Sequence, residues 1–438
     1  MAPKIMFLGL GVVSQSLMDI ILKEKMFDPN QMIVVDKSER SLSFFRSRGG
    51  KEENILPIVI GRDNYMTIFD HLNPGDFLLE LANEIDDLIL TTECTKRGIH
   101  FITTSDGWFP EKNQADLCYE DHLQETLKLA RAYPNCPTTI MIFGINSGVI
   151  NVLTKKALVD IVEKDDTSFV TENRDYLRKL IKEEKFAQLA RELKVTYFIE
   201  SDYDTAETNI GEPQPNTSYS TWNAFDFYSE MNDRASMIVG TETKLSEALE
   251  RMCADVDQIY AFDSESRLLE LNVPGKLCKI KAVINDQIIE GCADDHEELH
   301  SIREYFSIWD DEGNLEYAPS VMFIYLPCEI AVKTALLDQV DNYHVINLEE
   351  MTSGGEAIGM LIEGANFNSW YVGTDSYLGD GCIGTPSAFL VAVSIHAGLK
   401  YIFKHPDEGI LYPEQLDVDE IISYISPYLP VYSRKCDI

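Results

Sequence analysis

The sequence is short of positive charge. Against 73 acidic side chains it carries 37 basic ones, a net charge of −36 over 438 residues. Such a balance disfavours nucleic acid and anionic membrane surfaces as partners. It suits the attraction of small cations, although solubility alone is the plainer account. Cysteine pairing is missing as well. The nine cysteines (Cys94, Cys118, Cys136, Cys253, Cys278, Cys292, Cys328, Cys382 and Cys436) are scattered, odd in number and contain no C-x-x-C pair. That argues against a disulfide framework or a cysteine-rich metal site and fits a reducing compartment, so a cytoplasmic location is expected. No apolar run is expected to reach the length of a membrane span, and the first residues lack the basic stretch and cleavage site of a secretion signal. Internal repeats and low-complexity segments are absent too. What remains, 45% hydrophobic and 25% charged residues, is the composition of an ordinary globular protein, long enough for two or three domains.

The chain is organised around its start. Lys4-Ile5-Met6-Phe7-Leu8 has the length of a buried parallel strand, and Gly9-Leu10-Gly11-Val12-Val13-Ser14 follows it. Gly9 and Gly11 fill the first two positions of G-x-G-x-x-G, and the small residue Ser14 fills the third. Gly9 allows the tight turn, Gly11 leaves room for a pyrophosphate against bare backbone, and Ser14 lets helix and strand pack closely. A helix over 12–23 directs the free N–H groups of its first turn, those of Val12, Val13 and Ser14, at the phosphate. A second apolar run, Met32-Ile33-Val34-Val35, ends on Asp36. An acid at that place accepts hydrogen bonds from ribose hydroxyls and repels a 2′-phosphate, so NAD is favoured over NADP. Lys37 and Arg40 soften that preference.

Alternation of strand and helix continues from there. Strands are expected at 5–8, 32–35, 55–60, 77–80, 100–103 and 139–142, with helices over 84–97 and 119–132 between them. Pro57 weakens the third strand. The pattern implies an α/β fold with a doubly wound, Rossmann-type parallel sheet in a dinucleotide-binding domain over 1–147. A second, mixed α/β substrate domain is expected over 148–373, with a charged helical stretch at 172–193 and strands at 196–200, 278–284 and 322–325. Residues 374–438 are expected to form C-terminal helices, at 386–404 and 417–424, that pack back on the first domain.

Five stretches carry candidate chemistry. Leu81-Ala82-Asn83-Glu84, Thr103-Thr104-Ser105-Asp106-Gly107-Trp108 and Phe143-Gly144-Ile145-Asn146-Ser147-Gly148 each follow a strand end, where open α/β sheets bind ligands. Glu200-Ser201-Asp202 ends a strand of the second domain. Thr221-Trp222 opens a segment reaching Glu230. Singly, each reads as easily as a cap, a turn or core. Jointly they offer carboxylates and an indole face for a cation. His296-Glu297-Glu298-Leu299-His300 matches H-E-x-x-H, the zinc-protease signature. The acids Asp294 and Asp295 before it make it look like the acid-rich first turn of a surface helix, no third ligand is evident, and no metal is expected.

With these stretches in hand, the chain resembles bacterial homospermidine synthase, within the saccharopine dehydrogenase-like group. The resemblance runs nearly end to end. It rests on Gly9-Leu10-Gly11, Ser105-Asp106-Gly107-Trp108, Trp222 with Glu230, His296-Glu297-Glu298, residues 317–327, Gly355-Glu356-Ala357-Ile358-Gly359 and the tail from Asn366 to Pro430. It implies a cytoplasmic homodimer that joins two putrescine molecules with release of ammonia, using and regenerating NAD. It also implies catalytic roles for Trp222, Glu230, Asn146 and His296, and substrate contacts from Glu84, Asp106, Glu200, Asp202 and Glu356. Three departures stand out: Asp-Gly-Trp at Asp106 where the family has Glu-Pro-Trp, Glu200-Ser201-Asp202 for Glu-Arg-Asp, and Leu326 in place of a histidine. Three rivals remain. A saccharopine- or carboxyspermidine-type dehydrogenase would need arginine for its carboxylate substrate. An NAD-binding regulatory protein would turn nothing over. A zinc hydrolase would use His296 and His300.

Overall fold

A computed structural model describes residues 2–82, 85–104, 106–109, 118–379 and 381–436. The chain forms two compact units. The first comprises Met1–Val149, Cys382–Gly384 and Ala388–Tyr428; the second comprises Ile150–Gly381, Thr385–Ser387 and Leu429–Ile438.

The first unit is built on a seven-stranded sheet. Its order is Ile410–Leu411, Thr139–Ile140, His100–Thr103, Phe77–Glu80, Ile5–Leu8, Met32–Val35, Ile55–Leu56, and every neighbouring pair is parallel. The four central strands, from His100–Thr103 to Met32–Val35, are buried along their whole length and mainly apolar, as a sheet covered on both faces requires. The strand order reverses between Ile5–Leu8 and Phe77–Glu80, which opens a crevice at their carboxyl ends. Two strands are shorter than the sequence pattern promised. Ile55–Leu56 stops at Pro57, which has no N–H to give, and Thr139–Ile140 stops just before Ile142, whose φ is 44°. The helix Asp87–Arg97 starts three residues later than expected, because Asp86 caps it by accepting from the Ile89 amide.

Helix Pro386–Lys404 corrects the expectation about membrane spans. It is long and apolar enough to cross a bilayer, but 83% of its apolar window is buried inside the protein. Its residues Leu390, Val393 and Leu399 are fully buried.

The second unit carries a ten-stranded mixed sheet. Its main path runs Ile259–Phe262, Leu268–Pro274, Arg234–Ile238, Ser320–Leu326, Val195–Asp204, Gly355–Gly364, Trp370–Tyr377, Tyr432–Lys435. The hairpin of Lys279–Ile284 and Gln287–Asp294 joins through the latter to Ser320–Leu326. The charged stretch at 172–193 is two helices, Ser168–Lys182 and Phe186–Leu193, parted where Glu184 takes a φ of 53°.

Side chains alternate across a strand, so each face of the central strand Val195–Asp204 has its own character. Tyr197 and Ile199, with Met322, Ile324, Ala357 and Leu361 on adjacent strands, form an apolar core. The intervening residues are Glu200, Asp202 and Asp204, and they point to the other face.

Candidate functional site

In the first unit, the turn after Ile5–Leu8 has the form that a dinucleotide needs. Gly9 has a φ of 85°, and a Cβ added there would lie 2.7 Å from the Leu81 carbonyl oxygen. Gly11 is different: a Cβ there would meet nothing within 4 Å. Its bareness therefore serves no contact within the protein and leaves space for a ligand. Helix Val12–Glu24 begins at Gly11 with no side-chain cap. The amides of Val12, Val13 and Ser14 thus have no intrahelical acceptor and face outward from the helix start. The Ser14 hydroxyl donates to the Gly9 carbonyl at 2.8 Å, which locks the turn. Asp36 accepts from the Leu10 amide at 2.8 Å through Oδ2 and from the Ser38 amide at 2.7 Å through Oδ1. It braces the loop, and each oxygen keeps a second lone pair for a ribose hydroxyl.

Asp106 is held differently from a free substrate-binding carboxylate. Its side chain is 3% exposed and lies 3.1 Å from His122 Nδ1, whose Nε2 is 2.9 Å from Asp87. Burial opposes charge on this imidazole, but the two carboxylates outweigh it and push the His122 pKa up to about 11. The imidazolium already balances Asp106, and Asp87 also accepts from the Gly107 amide at 3.0 Å. Asn146 lies in the same unit, half-buried in the turn bounded by the Gly144–Gly148 bridge. Glu84 lies outside the described residues.

Six of the remaining candidates belong to the second unit: Glu200, Asp202, Trp222, Glu230, His296 and Glu356. Strand register explains how five acids share one face. Glu200 pairs with Phe323, Asp202 with Tyr325, and Asp204 with Glu356. Asp294 pairs with Phe323 from the far side. All four cross-strand partners therefore point the same way as Glu200. Glu200, Asp202, Asp204, Asp294 and Glu356 are all buried.

The helix Glu297–Phe306 packs against the strand Ser320–Leu326. His296 precedes it as N-cap, with extended backbone. Its Nδ1 contacts Glu298 and lies 3.0 Å from Glu297, and its ring sits 5.0 Å from that of Phe323. This corrects the expectation of a surface helix, since most of its residues are buried, including Glu298, Leu299, His300 and Ile302. It also removes the basis for reading H-E-x-x-H as a zinc helix. His296 stands outside the helix, and His300 is tied to Asp295 at 3.1 Å. Among the described residues, Asp87 with Asp106 and His122, and His296 with Glu297 and Glu298, each bring three ligand-type atoms within 4.8 Å. In both groups the imidazole's bonds to the carboxylates account for the closeness.

The electrostatics of this face are one-sided. Burial raises the Glu200 carboxyl well above the usual range, and Glu298 beside it adds to the effect. Burial and the charge of Glu230 do the same to Asp294. Burial and Asp204 push Glu356 up to about 7. Burial pushes Glu230 up to about 8 against the pull of His296, and burial with Asp295 pushes Asp233 up to about 6. His296 is the main cation acting on Glu200, Glu230 and Asp294. Burial disfavours its charge, but Glu298, Glu297 and Glu230 prevail and raise its pKa well above normal. Among the described residues, neither oxygen of Glu200 receives a donor, and Asp294 Oδ2 and Glu298 Oε1 are orphaned in the same way. The Glu298 carboxyl adjoining Glu200 can only share a proton with it. Buried acceptors without donors are rare and mark a place where a donor belongs.

Trp222 is half-buried and donates from Nε1 to the Tyr325 hydroxyl at 3.3 Å. Glu230 ends the helix Ala224–Glu230, which Asn223 caps through the Phe225 and Asp226 amides. Sequence reasoning missed Asp204, Asp233, Asp294 and Glu298. The alternation Glu200-x-Asp202-x-Asp204 in one strand was the available signal, since acids at period two share a face.

Known proteins share this architecture. Residues 5–141 match the family described as the saccharopine dehydrogenase NADP binding domain. The homospermidine synthase of Blastochloris viridis is 23% identical over 97% of this chain and 89% of its own length. That of Mesorhizobium japonicum is 22% identical over 97% of this chain and 88% of its own. The crystal structure of homospermidine synthase from Legionella pneumophila, in complex with NAD, superposes with a TM-score of 0.83 at 21% identity, covering 100% of this chain and 92% of that one. The chain thus resembles bacterial homospermidine synthases along nearly its whole length, and its first domain is similar to the saccharopine dehydrogenase NADP binding domain.

Proposed function

We propose that the protein is an NAD-dependent homospermidine synthase that joins two putrescine molecules and releases ammonia. The observation that carries this reading is the buried acidic face of the second unit, where, among the described residues, oxygens of Glu200, Asp294 and Glu298 have no donor. An ammonium group brings three donors and one positive charge to such a place. A diamine brings two ammonium groups, joined by an apolar chain suited to Phe323 and Trp222.

The turn at Gly9 and Gly11 would hold the pyrophosphate, and Asp36 the ribose. The family description names NADP, but the carboxylate of Asp36 opposes a 2′-phosphate, and the Legionella relative is described with NAD. Bound there, NAD would supply the hydride acceptor for oxidation of a carbon next to nitrogen and the donor for reduction of the new carbon–nitrogen double bond. The chain's own groups do the rest. The acidic face holds the ammonium ends. The indole of Trp222 and the carboxylate of Glu230 stabilise iminium charge as it forms. Glu230, with a pKa of about 8, is suited to take and return protons on nitrogen near neutral pH, with His296 as its cationic neighbour. Among the described residues, no arginine is a main charge acting on Glu200, Glu230, Asp294 or Glu356, whereas the saccharopine-type alternative would need one for its carboxylates. Incubation with putrescine and NAD⁺, followed by product analysis, tests the reading: homospermidine and ammonia are expected, and neither forming would refute it.

A further inference from the structure

We infer that Tyr325 is a positioning residue for this reaction, holding the Trp222 indole in one orientation. The inference rests on the proposed function and adds a residue to it.

Tyr325 lies near the end of the strand Ser320–Leu326 and is 3% exposed. Its ring runs nearly parallel to that of Phe323, at 6.2 Å and 15°, and meets Phe227 edge-on at 6.1 Å. Flanked on two sides, the ring has one seat. Its hydroxyl accepts from Trp222 Nε1 at 3.3 Å, which leaves the hydroxyl's own proton to donate. The acids around it are Asp204, Asp202 and Glu356, and Asp202 is its cross-strand partner. Burial and these acids hold the phenol pKa well above normal, so the proton stays on oxygen.

The backbone at Trp222 is pinned as well. Thr221 Oγ1 donates to Asp204 at 2.7 Å, and the Trp222 amide donates to Ser220 Oγ at 3.3 Å. With Thr221 and its own amide held, the remaining freedom of Trp222 is rotation of the indole about its side-chain bonds. The bond to Tyr325 removes it.

Tyr325→Phe removes the hydroxyl and keeps the ring. One lost hydrogen bond of ordinary net strength corresponds to a roughly 3- to 10-fold fall in kcat. KM for putrescine and affinity for NAD⁺ should stay near wild type. The part of the fluorescence emission that belongs to Trp222, obtained by subtracting the Trp222→Phe spectrum, should shift when Tyr325→Phe is introduced. A lowered rate without the emission shift would mean that Tyr325 acts without Trp222, and an unchanged rate would mean that the hydroxyl is idle. Either result overturns the inference. If the wild-type protein makes no homospermidine, the functional reading fails by itself, and an unchanged emission would then overturn the pairing separately. A melting curve for Tyr325→Phe guards against a folding defect, and Thr221→Val, which loosens the same segment from Asp204, should lower kcat in the same sense.

Discussion

The two glycines of the first turn make opposite predictions. At Gly9 the backbone φ is 85° and an added Cβ would sit 2.7 Å from the Leu81 carbonyl oxygen. Forcing an L-residue into that conformation costs roughly 1–2 kcal/mol, and overpacking against backbone adds about 1–3 kcal/mol. Gly9→Ala should therefore lose roughly 2–5 kcal/mol, or about 4–20 °C in the melting of a unit this size. At Gly11 the φ is −73°, which alanine adopts freely, and nothing lies within 4 Å of its Cβ. Alanine is a poorer N-cap than glycine, so Gly11→Ala should lose only about 0.5–1 kcal/mol. Its methyl group would stand where the pyrophosphate belongs, weakening NAD⁺ roughly 5- to 150-fold if the clash resembles core overpacking. Calorimetric melting of the ligand-free variants and titration with NAD⁺ separate the two. Equal losses of stability, or wild-type NAD⁺ affinity in Gly11→Ala, would refute the reasoning.

Three further outcomes are expected. Trp222→Ala should lose most turnover while binding NAD⁺ normally, since each indole contact with a cation is worth about 0.5–2 kcal/mol; turnover and NAD⁺ affinity measured side by side decide it. Glu230→Gln should damage turnover more than Asp36→Ala, and the latter should weaken NAD⁺ and relax discrimination against NADP⁺, which cofactor titrations would read. The third concerns pH. Asp233, Glu356 and Glu230, held at about 6, about 7 and about 8, are neutral below those values and charged above them. A carboxyl whose folded pKa is raised contributes stability that is present at low pH and lost as pH rises through that pKa. The ligand-free protein should therefore lose stability between about pH 5 and 8, while putrescine binds more tightly and protects more over the same interval. Putrescine affinity that is flat in pH would contradict the assignment.

Much of the first domain was legible because its rules are local. An apolar run, two glycines, a small residue and a distant acid fix a strand, a turn and a helix start, and the helices Tyr119–Ala132 and Pro386–Lys404 fall where the pattern put them. The strand Ile410–Leu411, which closes the sheet's edge, was not legible, since two residues carry no periodicity. In the second unit the chain hid most of its site. Asp294 reads in sequence as part of a surface turn, yet it is buried at the end of a strand, beside Phe323. Nothing near it in sequence encodes that pairing, because register between strands is a long-range fact. Asp106 was visible as an acid after a strand, but its partner His122 sits on the next helix, and only the fold brings the two together.

The claim most open to direct test is that hydride taken from a substrate returns to product in one cycle. Putrescine deuterated at both nitrogen-bearing carbons, supplied with unlabelled NAD⁺ in catalytic amount, provides the measurement. Homospermidine should accumulate far beyond the NAD⁺ present, its carbon-bound deuterium should include the atom removed in the first step, and NADH absorbance should stay near the enzyme concentration. Stoichiometric build-up of NADH, or loss of that deuterium to water, would contradict the synthase account and leave an ordinary dehydrogenase in its place.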